Sequence, residues 1–286
     1  MLAVTGATGR LGRLVVAELL KHVAPGRIVA AVRSLERAVD LAAQGVQVRE
    51  ADYDRPDTLE RAFEGVERLL LISGSELGKR TRQHHAAIAA AQAAGVSFVA
   101  YTSVLHADSS PLSVAVEHRD TEAALADSGL PYALLRNGWY AENRLADLPT
   151  VLERGVMVGA AGDGLISAAS RADYAQAAAA VLRGGDHAGA VYELAGDAGH
   201  TLAELAAEIS RQSGREVAYV DLPGPAYADA LLAAGLPQLV ADLLATSDVG
   251  ASQGALFDDG HALGRLLGRP TTPLARSVAD ALAQGA

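Results

Sequence analysis

Cysteine is absent from this 286-residue chain, and lysine occurs only at Lys21 and Lys79. The first absence removes disulfides, thiolate nucleophiles and sulfur-ligated metals together, and it suits a reducing cytosol. No basic run offsets the net charge of −10, so neither nucleic acid nor an anionic membrane surface is an expected partner. The longest apolar stretch, 86–96, is rich in alanine, is interrupted by Gln92, and is too short to span a bilayer. A first strand that starts within five residues of Met1 leaves no room for a cleaved signal peptide, so a cytoplasmic location is expected. No Gly-x-Ser-x-Gly elbow occurs, which counts against a hydrolase.

What is present is organised around the first twelve residues. Leu2 to Thr5 form a short apolar run, Gly6, Gly9 and Gly12 follow at three-residue spacing, and Leu14, Val15 and Leu19 recur with helical period. This predicts a strand, a tight turn and a helix. Glycines let such a turn approach a ligand closely, and the bare N–H groups opening the helix attract phosphate, as in a dinucleotide cradle. A purely structural turn with no ligand is the alternative.

A second apolar run, Ile28 to Val32, ends on Arg33, which lies 21 residues beyond Gly12. In this architecture that strand end faces the adenosine ribose, where an acid selects NAD and an arginine suits the 2′-phosphate of NADP. Because Val32-Arg33-Ser34 carries no acid, NADPH is the expected cofactor. Arg33 could instead be a solvated residue closing a strand. Asp52, at the end of a third strand, could meet the adenine amino group or cap the helix that starts near Pro56.

Strands then alternate with helices: strand 68–73, helix 81–94, strand 97–103, helix 116–128 and strand 131–136. An additional helix is expected over 35–44. The pattern predicts an α/β fold with a doubly wound parallel Rossmann-type sheet and right-handed crossovers. Past residue 140 the alternation weakens. We expect an NADP-binding domain over 1–147 and a smaller, mainly helical substrate lobe over 148–286, with part of 165–197 returning to the Rossmann half. The Ala- and Leu-rich region 227–245 could bury its faces within the lobe or against a second copy, so a homodimer is one assembly the sequence allows.

The Tyr-x-x-x-Lys pair that many short-chain dehydrogenases use to protonate a reduced carbonyl is missing. Tyr101, Tyr132 and Tyr140 are followed at that offset by Leu105, Arg136 and Arg144. A redox substrate here should therefore need little proton assistance. A quinone fits, because hydride transfer makes a hydroquinone anion that water can protonate. Asn137-Gly-Trp-Tyr-Ala-Glu-Asn143 follows the sixth strand and carries the single Trp. Aromatics and amides at that place suit a nicotinamide and a flat substrate, with Tyr140 and Asn143 orienting the quinone and no dedicated acid. Packing between lobes is the other use for Trp139 and Tyr140. His84 and His85 point to different faces of their helix, so no metal is expected there. His106, Asp108, Glu117 and His118 read as exposed loop and helix residues, although they could gather near one strand end.

Together, Gly6-Ala-Thr-Gly-Arg-Leu-Gly12, Ala51-Asp-Tyr-Asp54, Leu70-Leu-Ile-Ser-Gly-Ser75, Ala100-Tyr-Thr-Ser103, Leu135-Arg-Asn-Gly-Trp-Tyr-Ala-Glu-Asn143 and Ser170-Arg-Ala-Asp-Tyr174 resemble the NmrA-like branch of atypical short-chain dehydrogenases. The likeness continues through Val191 to Asp197 and Ser247 to Ser252, and so covers nearly the whole chain. It implies an NADPH-dependent reductase without flavin, with a Rossmann half and a small lobe forming a quinone pocket. Under the resemblance Gly6, Ala7, Thr8, Gly9, Arg10 and Leu11 would hold the pyrophosphate and Arg33 the 2′-phosphate. Ser73, Gly74 and Ser75 would line the cofactor, while Tyr140, Asn143 and Arg171 would enclose the nicotinamide end and the substrate entrance. Other members of the branch bind NADP(H) as sensors and regulate a partner protein without turnover, and that role is the alternative.

Overall fold

A computed structural model describes residues 1–76 and 78–284. In chain order the elements are β1 (Leu2–Thr5), α1 (Arg10–Leu20), β2 (Ile28–Val32), α2 (Val39–Ala43), β3 (Gln47–Glu50), α3 (Pro56–Phe63), β4 (Arg68–Leu71), α4 (Arg80–Ala93), β5 (Phe98–Val104), α5 (Ala115–Asp127) and β6 (Tyr132–Asn137). There follow α6 (Ala141–Arg144), α7 (Leu148–Arg154), β7 (Val156–Gly159), α8 (Arg171–Arg183), β8 (Val191–Leu194), α9 (Leu202–Ser213), β9 (Ala218–Asp221), α10 (Gly224–Ala233), α11 (Gln238–Ser252), α12 (Ala262–Leu267) and α13 (Leu274–Gln284). Seven strands form one sheet in the order β3-β2-β1-β4-β5-β6-β8. β1 pairs in parallel with both β2 and β4, so the first strand of the chain lies mid-sheet. This is the doubly wound Rossmann-type α/β architecture read from the alternation. No helix among the described residues is long and apolar enough to cross a membrane.

The chain divides into two compact units. One comprises Met1–Ala107, Val116–Asn137 and Arg171–Tyr192, the other Asp108–Ala115, Gly138–Ser170 and Glu193–Ala286. In the first, β1, β2, β4 and β5 are almost wholly buried, as parallel strands covered on both faces must be. Val15, Val16 and Leu19 form the buried face of α1, which packs on α8. On α3 and α4, Leu59, Phe63 and Ile88 join Leu69, Leu71 and Tyr101 in one core cluster.

The second unit holds a feature the pattern did not reveal, a two-stranded parallel sheet of β7 and β9 with Val156 opposite Ala218. Its clearest helix, α9, opens on a capping box. The Thr201 hydroxyl accepts from the Glu204 amide at 3.1 Å, and the Glu204 carboxylate accepts from the Thr201 amide at 2.8 Å. Gly214, at φ +69, ends it in the left-handed conformation. The helix expected over 35–44 is instead a 3-10 turn, Leu35–Ala38, followed by the five-residue α2.

Candidate functional site

In the first unit the glycine turn is built around a backbone contact that side chains would prevent. Gly6 takes φ +57, and its carbonyl accepts from the Gly9 amide at 2.8 Å. A Cβ on Gly12 would lie 2.3 Å from the Gly6 carbonyl oxygen and 2.7 Å from Ala7 Cα, so only glycine lets α1 start this close to the turn. Gly9 is the N-cap of α1, no side chain caps it, and its first turn carries no acid. The opening N–H groups are thus left to an anionic ligand. A cradle that a Cβ would fill, at an uncapped helix start, fits a pyrophosphate. Ala7 and Leu11 are buried behind it, while Gly9 and Arg10 are exposed.

Five further expected residues, Arg33, Ser73, Gly74, Ser75 and Arg171, belong to the same unit. Arg33 is exposed at the end of β2, with Nη1 donating to the Glu76 carboxylate at 2.7 Å, while Lys79 donates to the other oxygen at 3.0 Å. Lys79 first, then Arg33, hold that carboxyl below the usual range. The segment Ser73-Gly74-Ser75 follows β4 and is tied down through its backbone, the Ser73 amide donating to Thr102 Oγ1 at 2.9 Å. Arg171 opens α8 and is buried. Asp52 caps no helix. It sits in an Asx turn, its carboxylate accepting from the Asp54 amide at 3.0 Å, while the N-cap of α3 is Arg55.

One histidine corrects the sequence reading, and a second bears it out. His118 is buried, not exposed, with Nδ1 2.7 Å from the Tyr101 hydroxyl. Glu117 lies on the same helix and accepts from the Gly78 amide at 3.0 Å. His84 is wholly buried, edge-on to Tyr53 and Tyr101. Positions 80, 83, 84, 87, 88, 90 and 91 are the buried residues of α4, and three of the seven are polar.

Burial first, then the Arg80 charge, pushes His84 down to about 3 and His118 down to about 2. Both rings are neutral in the fold, whereas the unfolded chain protonates them near pH 6.5. Their contribution to stability is therefore complete above that pH and is lost progressively as pH falls from 6.5 toward 3. By pH 5 each costs on the order of 2 kcal/mol. We expect the thermal midpoint to fall by at least about 5 °C between pH 7.5 and pH 5. The two imidazole NMR signals should stay unshifted over the same range. A titration of either ring near pH 6.5 would contradict this.

In the second unit, Tyr140 is the N-cap of the short helix α6, and Asn143 is exposed on it. The segment is fixed by Ala169, whose carbonyl accepts from the Ala141 amide at 2.9 Å and whose amide donates to the Trp139 carbonyl at 3.1 Å. Arg144 ends α6 in a buried ion pair with Asp248 and donates to the Tyr227 hydroxyl at 3.2 Å. The other oxygen of Asp248 accepts from the Ala160 amide at 3.0 Å. A narrow, largely apolar cleft beside Trp139 is lined by Leu145, Ile166, Leu202 and Leu205, with His200 also on its wall.

A parallel sheet whose first strand runs through a glycine turn into an uncapped helix defines a dinucleotide-binding protein. The chain belongs to the NAD(P)H-binding family, whose model matches residues 6–184, and within it to the NmrA-like group. It is 58% identical over 278 residues, 97% of each chain, to quinone oxidoreductase 2 of Escherichia coli. The crystal structure of the NADPH-dependent quinone oxidoreductase from that organism, complexed with NADPH, matches at TM-score 0.97 and 57% identity, over 99% of this chain and all of the other. An NmrA-like family domain-containing oxidoreductase of Aspergillus flavus is 31% identical over 75% of this chain and 72% of its own. Triphenylmethane reductase of Citrobacter sp., complexed with NADP(H), matches at TM-score 0.95 and 37% identity, over 98% and 100%.

Proposed function

We infer that this chain is an NADPH-dependent quinone oxidoreductase in which hydride passes directly to the quinone without flavin. The observation that carries this is the likeness to the E. coli quinone oxidoreductase, which runs through 97% of both chains and so takes in both units. Bound NADPH supplies the hydride. The chain supplies the place: Gly6 to Leu11 take the pyrophosphate on the opening amides of α1, and Arg33 takes the 2′-phosphate. Ser73 to Ser75 line the cofactor, and Arg171 borders its nicotinamide end.

Tyr140 and Asn143 orient the quinone, one by its ring and the other by its amide. No group is assigned as proton donor, because the hydroquinone anion takes its proton from water. Catalysis on this reading is mostly positioning. The reading places the protein in the cytoplasm. Loss of absorbance at 340 nm on mixing flavin-free protein, NADPH and 1,4-benzoquinone is the expected result. No loss with several quinones, by protein that binds NADPH, would overturn it.

A further inference from the structure

Two costly side chains are buried on α4 with no assigned task. Arg80 is 6% exposed and His84 is fully enclosed, and a guanidinium or an imidazole is expensive to hold away from water without full pairing. Between them they take both backbone polar groups of a single residue, Gly74, and so fix the two peptide units that flank it. His84 Nε2 accepts from the Gly74 amide at 3.0 Å, and the Gly74 carbonyl accepts from Arg80 Nε at 3.0 Å and Nη2 at 2.9 Å.

The pairing dictates the rest of the network. Because Nε2 accepts an N–H, the ring proton sits on Nδ1, which lies 3.0 Å from Thr121 Oγ1, and that hydroxyl in turn donates to the Glu117 carbonyl at 2.9 Å. The remaining nitrogen of Arg80, Nη1, lies 3.4 Å from the Glu117 carboxylate, whose other oxygen holds the Gly78 amide. The loop after β4 is thus gripped at Gly74 and again at Gly78 by α4 and α5. Tyr53 and Tyr101 meet the His84 ring at 71° and 79°, which leaves it little freedom to turn. An apolar ring would fill the same space at lower cost. What it could not supply is an acceptor for Gly74.

We propose that His84 and Arg80 are positioning residues for the cofactor, holding Ser73-Gly74-Ser75 in its binding shape through the backbone N–H and C=O of Gly74 before NADPH arrives. The inference rests on the reading that this segment lines the cofactor. Neither side chain touches the cofactor in this scheme, and both act by removing the conformational freedom that binding would otherwise have to remove.

The test is a pair of substitutions read as a split between KM and kcat. His84→Phe keeps a flat ring and removes the acceptor, whereas His84→Gln returns an oxygen acceptor at similar reach. We expect His84→Phe to raise KM for NADPH about tenfold while kcat at saturating NADPH changes less than threefold. His84→Gln should bring KM back to within about threefold of the parent. A parental KM in His84→Phe, or no recovery in His84→Gln, overturns the proposal. Should His84→Phe fail to fold, Arg80→Lys, which keeps a charge near Glu117 but loses the fork, carries the same expectation, and a parental KM there overturns the proposal equally. A parent protein that binds no NADPH sinks the cofactor reading itself, whereas a parent and a variant that bind equally sink only this inference.

Discussion

Valine at position 9 should abolish binding of NADPH and NADH alike while leaving the protein folded. Gly9 is exposed at φ −76 and ψ 168, a conformation open to any residue, and an added Cβ would come 3.1 Å from the Gly6 carbonyl oxygen. A few tenths of an ångström of adjustment accommodates it. The two methyl groups beyond that Cβ would occupy the space in front of the first α1 amides, where the pyrophosphate must come closest. We expect a loss of more than about 100-fold in affinity by calorimetry, with a thermal midpoint close to the parent's. Gly12→Ala is the contrasting case. Its Cβ would press on backbone atoms at 2.3 and 2.7 Å, so stability should fall with binding, by about 1–3 kcal/mol or more as in other overpacked sites. A Gly9→Val protein that keeps either cofactor within tenfold of the parent would falsify the cradle.

Arg33→Ala should separate the two cofactors. Hydrogen bonds to a charged group contribute roughly 1.5–3 kcal/mol, so NADPH binding should weaken by about 10- to 100-fold and NADH binding should barely change. The pairing with Glu76 sharpens the expectation. Arg33 is 67% exposed, and an ion pair so open to water is worth about 1 kcal/mol or less. A 2′-phosphate bearing nearly two charges therefore displaces Glu76 with little to overcome. Parallel titrations of both cofactors decide the matter, and equal losses would remove the argument for NADPH.

The candidate cradle was legible because it is local: strand, glycines and helix follow within twenty residues, and topology alone places Arg33 at a strand end facing the same edge of the sheet. Five of the six strands from β1 to β6 were readable for the same reason, each carrying an apolar run bounded by helical period, whereas β3, Gln47-Val-Arg-Glu50, is mostly polar and was placed by its position in the alternation. What was hidden depends on partners remote in the chain. β7 and β9 are four residues each and some sixty apart, too short to show alternation and too distant to suggest pairing. Glu76 meets Arg33 across 43 positions. His118 looked like surface because its neighbours Glu117 and Arg119 are charged. Its burial follows from Tyr101, which β5 delivers from 17 residues away.

The interleaving of the first unit has a consequence for synthesis on the ribosome. Its sheet is nearly finished when Asn137 emerges, yet α8, which covers the apolar face of α1, comes only after residues 138–170. Until then Val15, Val16 and Leu19 lack their cover, and Arg68 lacks the Val181 and Leu182 carbonyls it donates to at 3.1 and 2.8 Å. The nascent chain must wait some thirty residues with a sticky helix bare, the interval in which a holdase chaperone has most to offer.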